Sequence, residues 1–487
     1  MAFITRWGLR AVLAVLLALL TLIVGGAYDA RFRVPDLKPW HRLDLDDLDA
    51  SDLDGDFTLA DYLAREDELF AKIGHFESTM DAVERTPVNR YHAGSRSHPS
   101  SAGRDWNRTF ESRPDVVRGG ALLIHGLTDS PYSMRAVAGV LRERGVYSLA
   151  LRMPGHGTVP SGLVRATWQD WLAAVRVGVR HVKASIPDGA PLILVGYSNG
   201  GALSLKYTLE ALEREGTARP SKLILLSPMI GVTPAARLAW WISRLGAVPY
   251  FEKANWLDVI PEYNPFKYNS FPANAGFQTS SLTRAVQADL ERAASDGRIG
   301  RLPPILTFQS IVDATVSTPA VVHLLYDRLP QNGSELVLFD VNHLSGIDVF
   351  VQPGDRSLVA RLFDPQPRPY RRVLVTNRSA DTREVDAHAL EAANTGSART
   401  ALGLSWPPQV FSLTHVAIPF PADDPLYGID GPTSTEGLLP IGRLSPRGER
   451  AVLTVGTDTL MRLSSNPFFP FVAARISGWL NGATATQ

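Results

Sequence analysis

Between residues 119 and 309, short apolar runs are interleaved with longer stretches in which apolar side chains recur every three to four positions. The runs at 121–124, 147–151, 192–195, 222–226 and 305–309 are too short for helices and largely apolar on both faces, the signature of strands buried in a parallel sheet. The stretches at 133–144, 168–186 and 202–215 carry the helical period. Together they predict an α/β fold, a mostly parallel sheet with helices on both faces. Further strands are predicted at 336–339, 373–376 and 410–413, with helices at 386–393 and 467–480.

The start of the chain has a different pattern. Arg6 and Arg10 precede a run at 11–24 that is apolar except for Thr21, and Gly25, Gly26 and Ala27 follow. This fits a signal peptide cut after Ala27, yet the run, lengthened by Phe3, Ile4 and Trp7, also reaches the lower limit of a spanning helix. Its richness in Leu and Val favours a retained anchor, and either outcome puts the remainder outside the cytoplasm.

Residues 28–118 form an N-terminal extension. Its acidic stretch 44–56 sets Asp52, Asp54 and Asp56 like the opening of a calcium loop, but Phe57 stands where that loop needs Gly and Leu63 where it needs a bidentate Glu. A solvated acidic linker without metal is therefore expected. A helix over 58–73 opens on Thr58 with Asp61 as its capping partner. The polar, Arg-rich stretch 89–117 reads as irregular and carries a glycosylation sequon at Asn107.

Composition narrows the classes. Of 487 residues 45% are hydrophobic and 20% charged, with 49 basic against 49 acidic, so the chain is globular and offers no footprint for nucleic acid. It has no cysteine, which removes disulfides, thiolate metal sites and a lipidated N-terminal cysteine.

Chemistry enters where the 192–195 strand ends. Gly196-Tyr197-Ser198-Asn199-Gly200 matches G-x-S-x-G, in which a serine stands on a sharp strand-to-helix turn and the flanking glycines let strand and helix approach without Cβ clashes. The Asn199 amide, at a helix N-terminus, would face charge developing on an attacked carbonyl. After the first strand comes His125-Gly126-Leu127-Thr128-Asp129-Ser130-Pro131, where the Leu127 amide would be a second oxyanion donor. After the second comes a Pro154-Gly155-His156-Gly157 turn, and a histidine there ties loops together more often than it acts as a base.

HGLTDSP, RMPGHG and GYSNGG stand in the order and spacing of the α/β-hydrolase fold, and residues 118–345 resemble monoacylglycerol lipases, small carboxylesterases and serine aminopeptidase-type hydrolases. The resemblance implies a Ser, Asp, His triad in that chain order, with a cap inserted late in the sheet. It makes Asp313, just past the 305–309 strand, the acid. Two histidines fit the third place: His343 lies thirty residues after Asp313, a family-like spacing, whereas His415 in SLTHV resembles the S-G-H-V of the small carboxylesterases. His415 is favoured because Pro419, Pro421 and Pro425 stiffen the loop behind it and 467–480 reads as the helix that follows the histidine.

The chain then divides into 1–27 as signal or anchor, 28–118 as extension, 119–226 and 303–351 as core, 227–302 as cap, 352–409 as an insertion and 410–487 as the C-terminal part of the core. The cap aromatics (Trp240, Trp241, Tyr250, Phe251, Trp256, Tyr263, Phe266, Tyr268, Phe271 and Phe277) suit either a subdomain core or a lid with an apolar inner face. For 352–409 and 433–455 the family pattern gives no role, and lengthening the sheet, shaping the pocket and binding a partner all stay open. The expected activity is cleavage of small, lipid-like carboxylic esters by a membrane-anchored serine hydrolase, with no metal or organic cofactor. Ser198 attacks, His415 moves the proton, Asp313 orients it, and the Leu127 and Asn199 amides hold the oxyanion. The rivals are a peptidase or amidase on the same fold and a catalytically silent, membrane-anchored binding scaffold.

Overall fold

Branched apolar side chains on both faces leave a strand nothing to give to water, so the runs pair edge to edge and helices cover them. The computed structural model describes all residues except 1, 54, 232–242, 314, 346–358, 365, 395, 409, 431–436, 444–461 and 483–487, so Asp54, Trp240, Trp241 and most of 433–455 lie outside the described residues. The strands are β1 (Phe110–Ser112), β2 (Gly119–Ile124), β3 (Val146–Leu151), β4 (Leu192–Tyr197), β5 (Lys222–Leu226), β6 (Trp256–Asp258), β7 (Phe271–Pro272), β8 (Ile305–Ser310), β9 (Glu335–Phe339), β10 (Arg371–Asn377), β11 (Glu384–Leu390) and β12 (Ser397–Ser405). All but β6 and β7 join one sheet in the order β1-β3-β2-β4-β5-β8-β9-β10-β11-β12. The strands from β3 to β10 in that order run parallel, and β1, β11 and β12 pair antiparallel at the edges.

Alternate strand residues feed two cores. Leu122 and Leu194 meet helices Trp168–Ala184 and Asn199–Glu213 on one face, while Leu123 and Val195 meet Arg135–Glu143 and Phe469–Leu480 on the other. The cap follows β5. Its described residues include 3-10 turns Arg244–Ala247, Pro249–Asn255 and Arg298–Arg301, the antiparallel β6/β7 ribbon and the helix Ala273–Ser295, which packs on Asn199–Glu213.

Three expectations are corrected. Residues 386–393, half of them Ala, do not form a helix: 386–390 belong to strand β11 and Ala392–Asn394 to a 3-10 turn, with Val385, Ala387 and Ala389 buried at period two and Asp386 between them paired with Arg378 and Arg399, each at 3.0 Å. The insertion thus lengthens the sheet through β10, β11 and β12. Residues 410–413 do not join that sheet; only Ser412–Leu413 (β13) is extended, pairing with Arg462–Leu463 (β14). The acidic stretch is not a solvated linker. Leu45, Leu48 and Leu53 are buried, and Asp47 bonds the buried Arg152 guanidinium at 2.7 and 3.0 Å and the Gly155 amide at 2.8 Å.

Arg152 is the pin of the extension. Helix Leu59–Ser78 opens on the Thr58/Asp61 capping box and sends Tyr62 to the Arg152 carbonyl and Glu66 to its Nε at 3.2 Å. Burial is the strongest influence on the Asp47 carboxyl and would raise it, but the Arg152 charge together with the hydrogen bonds from Arg152 and from the Gly155 and Leu48 amides holds Asp47 below the usual carboxylate range; for Glu66 burial wins and pushes it up. Asn107, the sequon residue, is buried with its amide on Asp105 and the Pro265 carbonyl, so the folded chain presents no acceptor there.

Candidate active site

The turn at Gly196–Gly200 is dictated by contact distances. A Cβ on Gly196 would lie 2.3 Å from the Gly200 carbonyl oxygen, and one on Gly200 would lie 2.1 Å from that of Ile124, so neither position accepts another residue without moving backbone. Between them Ser198 takes φ 55° and ψ −115°, a conformation a non-glycine residue holds only when its surroundings over-determine it. Here the Ser198 amide donates to the Leu226 carbonyl, and the Ser198 carbonyl accepts from the Gly201 and Met229 amides. The side chain is turned out of the strand line at the carboxyl edge of the sheet, where α/β sheets bind ligands.

The structure brings Ser198, His415 and Asp313 together. His415 Nε2 lies 3.0 Å from Ser198 Oγ, and His415 Nδ1 lies 3.0 Å from Asp313 Oδ2. A carboxylate only accepts, so Nδ1 carries the hydrogen and Nε2 of the neutral ring is free to take the serine proton. The Asp313 carboxylate also accepts from Gln309 Nε2 at 3.0 Å and from the Thr315 and Val316 amides at 3.1 and 2.8 Å, which fixes its plane. The imidazole stacks on the Tyr197 ring at 5.6 Å, and all three residues are buried.

His343, the other histidine considered, is bonded elsewhere. Its Nε2 lies 3.0 Å from Asp340 Oδ2 and its amide donates to Asn377, so it belongs to the loop between β9 and β10. The next residue back, Asn342, binds the Phe411 and Val410 carbonyls at 2.6 and 2.7 Å. These bonds hold the end of β9 to the segment that leads into His415, closing the long excursion through β10–β12.

Leu127 and Asn199 lie on the two loops that meet at Ser198. A Cβ on Gly126 would be 3.2 Å from Ser198 Cβ, and among the described residues neither the Leu127 nor the Asn199 amide has an acceptor. The loop is held from behind by His125, whose Nδ1 donates to the Gly126 carbonyl and whose Nε2 accepts from the Met153 amide. His156 is no base: it is fully buried 5.5 Å from the Trp171 ring with Nδ1 on the Pro154 carbonyl, and burial holds it neutral, down to about 3.

Sequence reasoning missed two residues. Arg462, buried, donates to the Val312 and Leu413 carbonyls at 2.9 and 2.8 Å and to Ser412 Oγ, so one guanidinium ties the acid loop to the histidine loop. Nothing in its neighbourhood of the sequence announces this. Asp129, in the loop after β2, is buried with Oδ1 on the Ser130 amide and Oδ2 without a hydrogen bond, the nearby Ser133 hydroxyl being turned to the Ser130 carbonyl. Burial lifts it to about 6 against the opposing charges of Lys267 and His415. It stood in the HGLTDSP motif but gave no signal of being enclosed.

The cap covers this site. Phe266 stacks on Tyr132 at 4.3 Å, Tyr268 donates its amide to the Thr128 carbonyl, Lys267 reaches the Leu127 carbonyl and Thr279 reaches Asn199 Oδ1. A separate cavity of about 870 Å³ lies between the extension, the cap and the turn before helix Trp168–Ala184, and touches none of the three triad residues.

Residues 116–340 match the family described as serine aminopeptidase, S33. The chain is similar to a thermostable monoacylglycerol lipase of Bacillus sp. (strain H-257), 26% identical over 232 residues, 47% of this chain and 84% of that one. Similar solved structures include one from work on the metagenome-derived lipolytic enzymes LipS and LipT (21% identity, 48% of this chain and 87% of that one, TM-score 0.37). Another is a soluble variant of monoglyceride lipase from Saccharomyces cerevisiae (19% identity, 48% and 81%, TM-score 0.35). Residues 116–340, which carry the Gly196–Gly200 turn and most of the parallel sheet, place the core of this chain in the α/β-hydrolase superfamily.

Proposed function

We propose that this α/β-hydrolase is a serine hydrolase of lipase or esterase type that cleaves a carboxylic ester with an apolar acyl chain through an acyl-enzyme. The observation that carries the reading is the pair of 3.0 Å contacts of His415, one to Ser198 Oγ and one to Asp313 Oδ2. In the proposed cycle Ser198 Oγ attacks the ester carbonyl as its proton passes to His415 Nε2. Asp313 keeps the hydrogen on Nδ1 and stabilises the imidazolium, and the Leu127 and Asn199 amides donate to the oxyanion. The imidazolium then protonates the departing alcohol, and a water activated by the same nitrogen hydrolyses the acyl-serine.

The similarity to a monoacylglycerol lipase favours esters, whereas the family description, serine aminopeptidase, keeps an amide-cleaving reading in view. Ser198→Ala is expected to abolish turnover and labelling by a fluorophosphonate while leaving the fold intact, because loss of the nucleophile costs several orders of magnitude in rate and little packing. Retained turnover of a p-nitrophenyl ester by that variant would refute the assignment. A parallel screen of p-nitrophenyl esters and aminoacyl anilides separates the two readings. The helix Ala2–Arg33 supports an extracytoplasmic enzyme held to the membrane by its N-terminus.

A further inference from the structure

The cap has two jobs in its contacts, and only one of them is at the site. Its residues 266–279 lie on the elbow and the oxyanion loop, as described above. Its residues 245–259 instead grip the end of the N-terminal helix. Ala27, Ala30, Val34 and Leu37 are buried against Ala254, Trp256 and Val259. Arg31 lies over the Tyr250 ring at 4.3 Å and donates to the Tyr250 carbonyl, while Lys253 bonds the Val34 carbonyl and Asp36, each at 2.9 Å.

The same helix is bare where it is most apolar. From Leu9 to Val24 its large side chains are about half exposed, whereas Ala27, three residues on, is fully buried. A hydrocarbon layer about 30 Å thick takes about 20 helical residues, and each headgroup layer adds about 5 to 7 Å. At 1.5 Å per residue, Ala27 lies about 5 Å beyond Val24. With the hydrocarbon ending at Val24, the last residue of the apolar run, a cap that touches Ala27 stands inside the headgroup layer.

The cap surface at this joint has the composition that position requires. Tyr28 and Phe32 on the helix, with Val248, Tyr250 and Leu257 on the cap, are each about half exposed or more, while among the described residues of the body the other exposed large apolar side chains, Val83, Val88, Val116 and Leu344, lie far apart in the chain. Aromatic rings and apolar side chains beside a span are the usual interfacial belt. The nearby charges are largely paired, Arg33 with Asp29, Arg42 with Glu252 and Lys253 with Asp36, so the attraction is apolar and does not depend on anionic lipid.

We infer that the edge of the cap formed by Val248, Tyr250 and Leu257 rests in the headgroup layer of the bilayer, making the cap a membrane-contact surface through which the enzyme takes its ester from lipid. This rests on the reading that Ala2–Arg33 is a retained anchor and that Ser198 is the nucleophile. The native chain has no cysteine, so single-cysteine variants are clean probes. Val248→Cys, Leu257→Cys and, as a control at the opposite end of the sheet, Val116→Cys are labelled with an environment-sensitive fluorophore in the full chain and reconstituted into phosphatidylcholine vesicles. All should float with the vesicles, and the probes at 248 and 257 should shift to the blue and be quenched by a lipid-attached quencher, with neither effect at 116. Flotation with 248 and 257 as water-exposed as 116 overturns the contact surface while the anchor stands; failure to float overturns both. In the same vesicles, the double variant Val248→Asp, Leu257→Asp should turn over an embedded long-chain monoacyl ester about tenfold more slowly and a soluble short-chain ester at the native rate. Loss on neither substrate, or equal loss on both, overturns delivery from lipid. Absence of all ester turnover in the native chain would instead refute the hydrolase reading and leave the probe result to decide the contact.

Discussion

Asp129→Asn is the substitution whose consequence follows most directly from the geometry. The native carboxyl is enclosed with one oxygen unbonded, and burial lifts it from the ordinary 3.8 to about 6. Below pH 3.8 the group is neutral in folded and unfolded chains alike, and it favours neither. As pH rises from there to about 6, the unfolded chain releases the proton while the folded one keeps it, so stability is lost; above about 6 the loss is complete. A displacement of that size at about 1.4 kcal/mol per tenfold change makes the full loss roughly 3 kcal/mol. Asn keeps an acceptor for the Ser130 amide and never ionises, so it removes the pH-dependent part. The variant should match the native chain near pH 4 and exceed it by about 3 kcal/mol near pH 7.5. Urea unfolding of the full chain in detergent, followed by tryptophan emission at several pH values, reads the difference from the midpoints. A stability difference that does not change with pH, or one that turns against Asn as pH rises, would show that Lys267 stabilises the ionised carboxylate and that the burial argument is wrong.

Other perturbations test the site and its supports. His415→Ala should cost the same several orders of magnitude in kcat as Ser198→Ala, while His343→Ala, whose ring is bonded to Asp340, should keep most of the native rate; an ester assay on both variants decides. Arg462→Met removes three bonds that hold the acid and histidine loops, so kcat should fall with KM nearly unchanged and Arg462→Lys should recover part of it; a variant that merely loses stability would show native kcat below its melting temperature. Arg152→Met leaves Asp47 and Glu66 buried without their cation and should cost about 3 to 5 kcal/mol, with limited proteolysis opening the extension before the core.

Much of the site was legible because its signals are local. The period of the apolar residues located strands β2, β3, β4, β5 and β8, and the glycines at 196 and 200 are demanded by contacts of 2.3 and 2.1 Å that any such strand-to-helix turn creates. Asp313 came instead from the family resemblance, which expects an acidic residue just past that buried strand. Local signals failed at 386–393, where helix-forming composition was overridden by cross-strand pairing, and at 44–56, where acidic residues that read as solvated hold a buried arginine from a distant loop.

The sequence by itself determined the alternation of the core, the elbow and the candidates for its partners. The prolines behind His415 and the helix after it favoured that residue over His343, but both follow an extended run, and which of the two lies beside Ser198 is decided by the tertiary structure. The choice depends on the path between them: β10, β11 and β12 carry the chain out along the sheet, and Asn342 and Arg462 bring it back so that residue 415 reaches a serine 217 positions earlier. The N-terminal helix was decided in the same way, its apolar run being plain in the sequence while its seat against the cap is set by packing between residues more than two hundred positions apart. Periodicity and sterics act over a turn or two of chain, whereas proximity across such separations is a property of the closed fold.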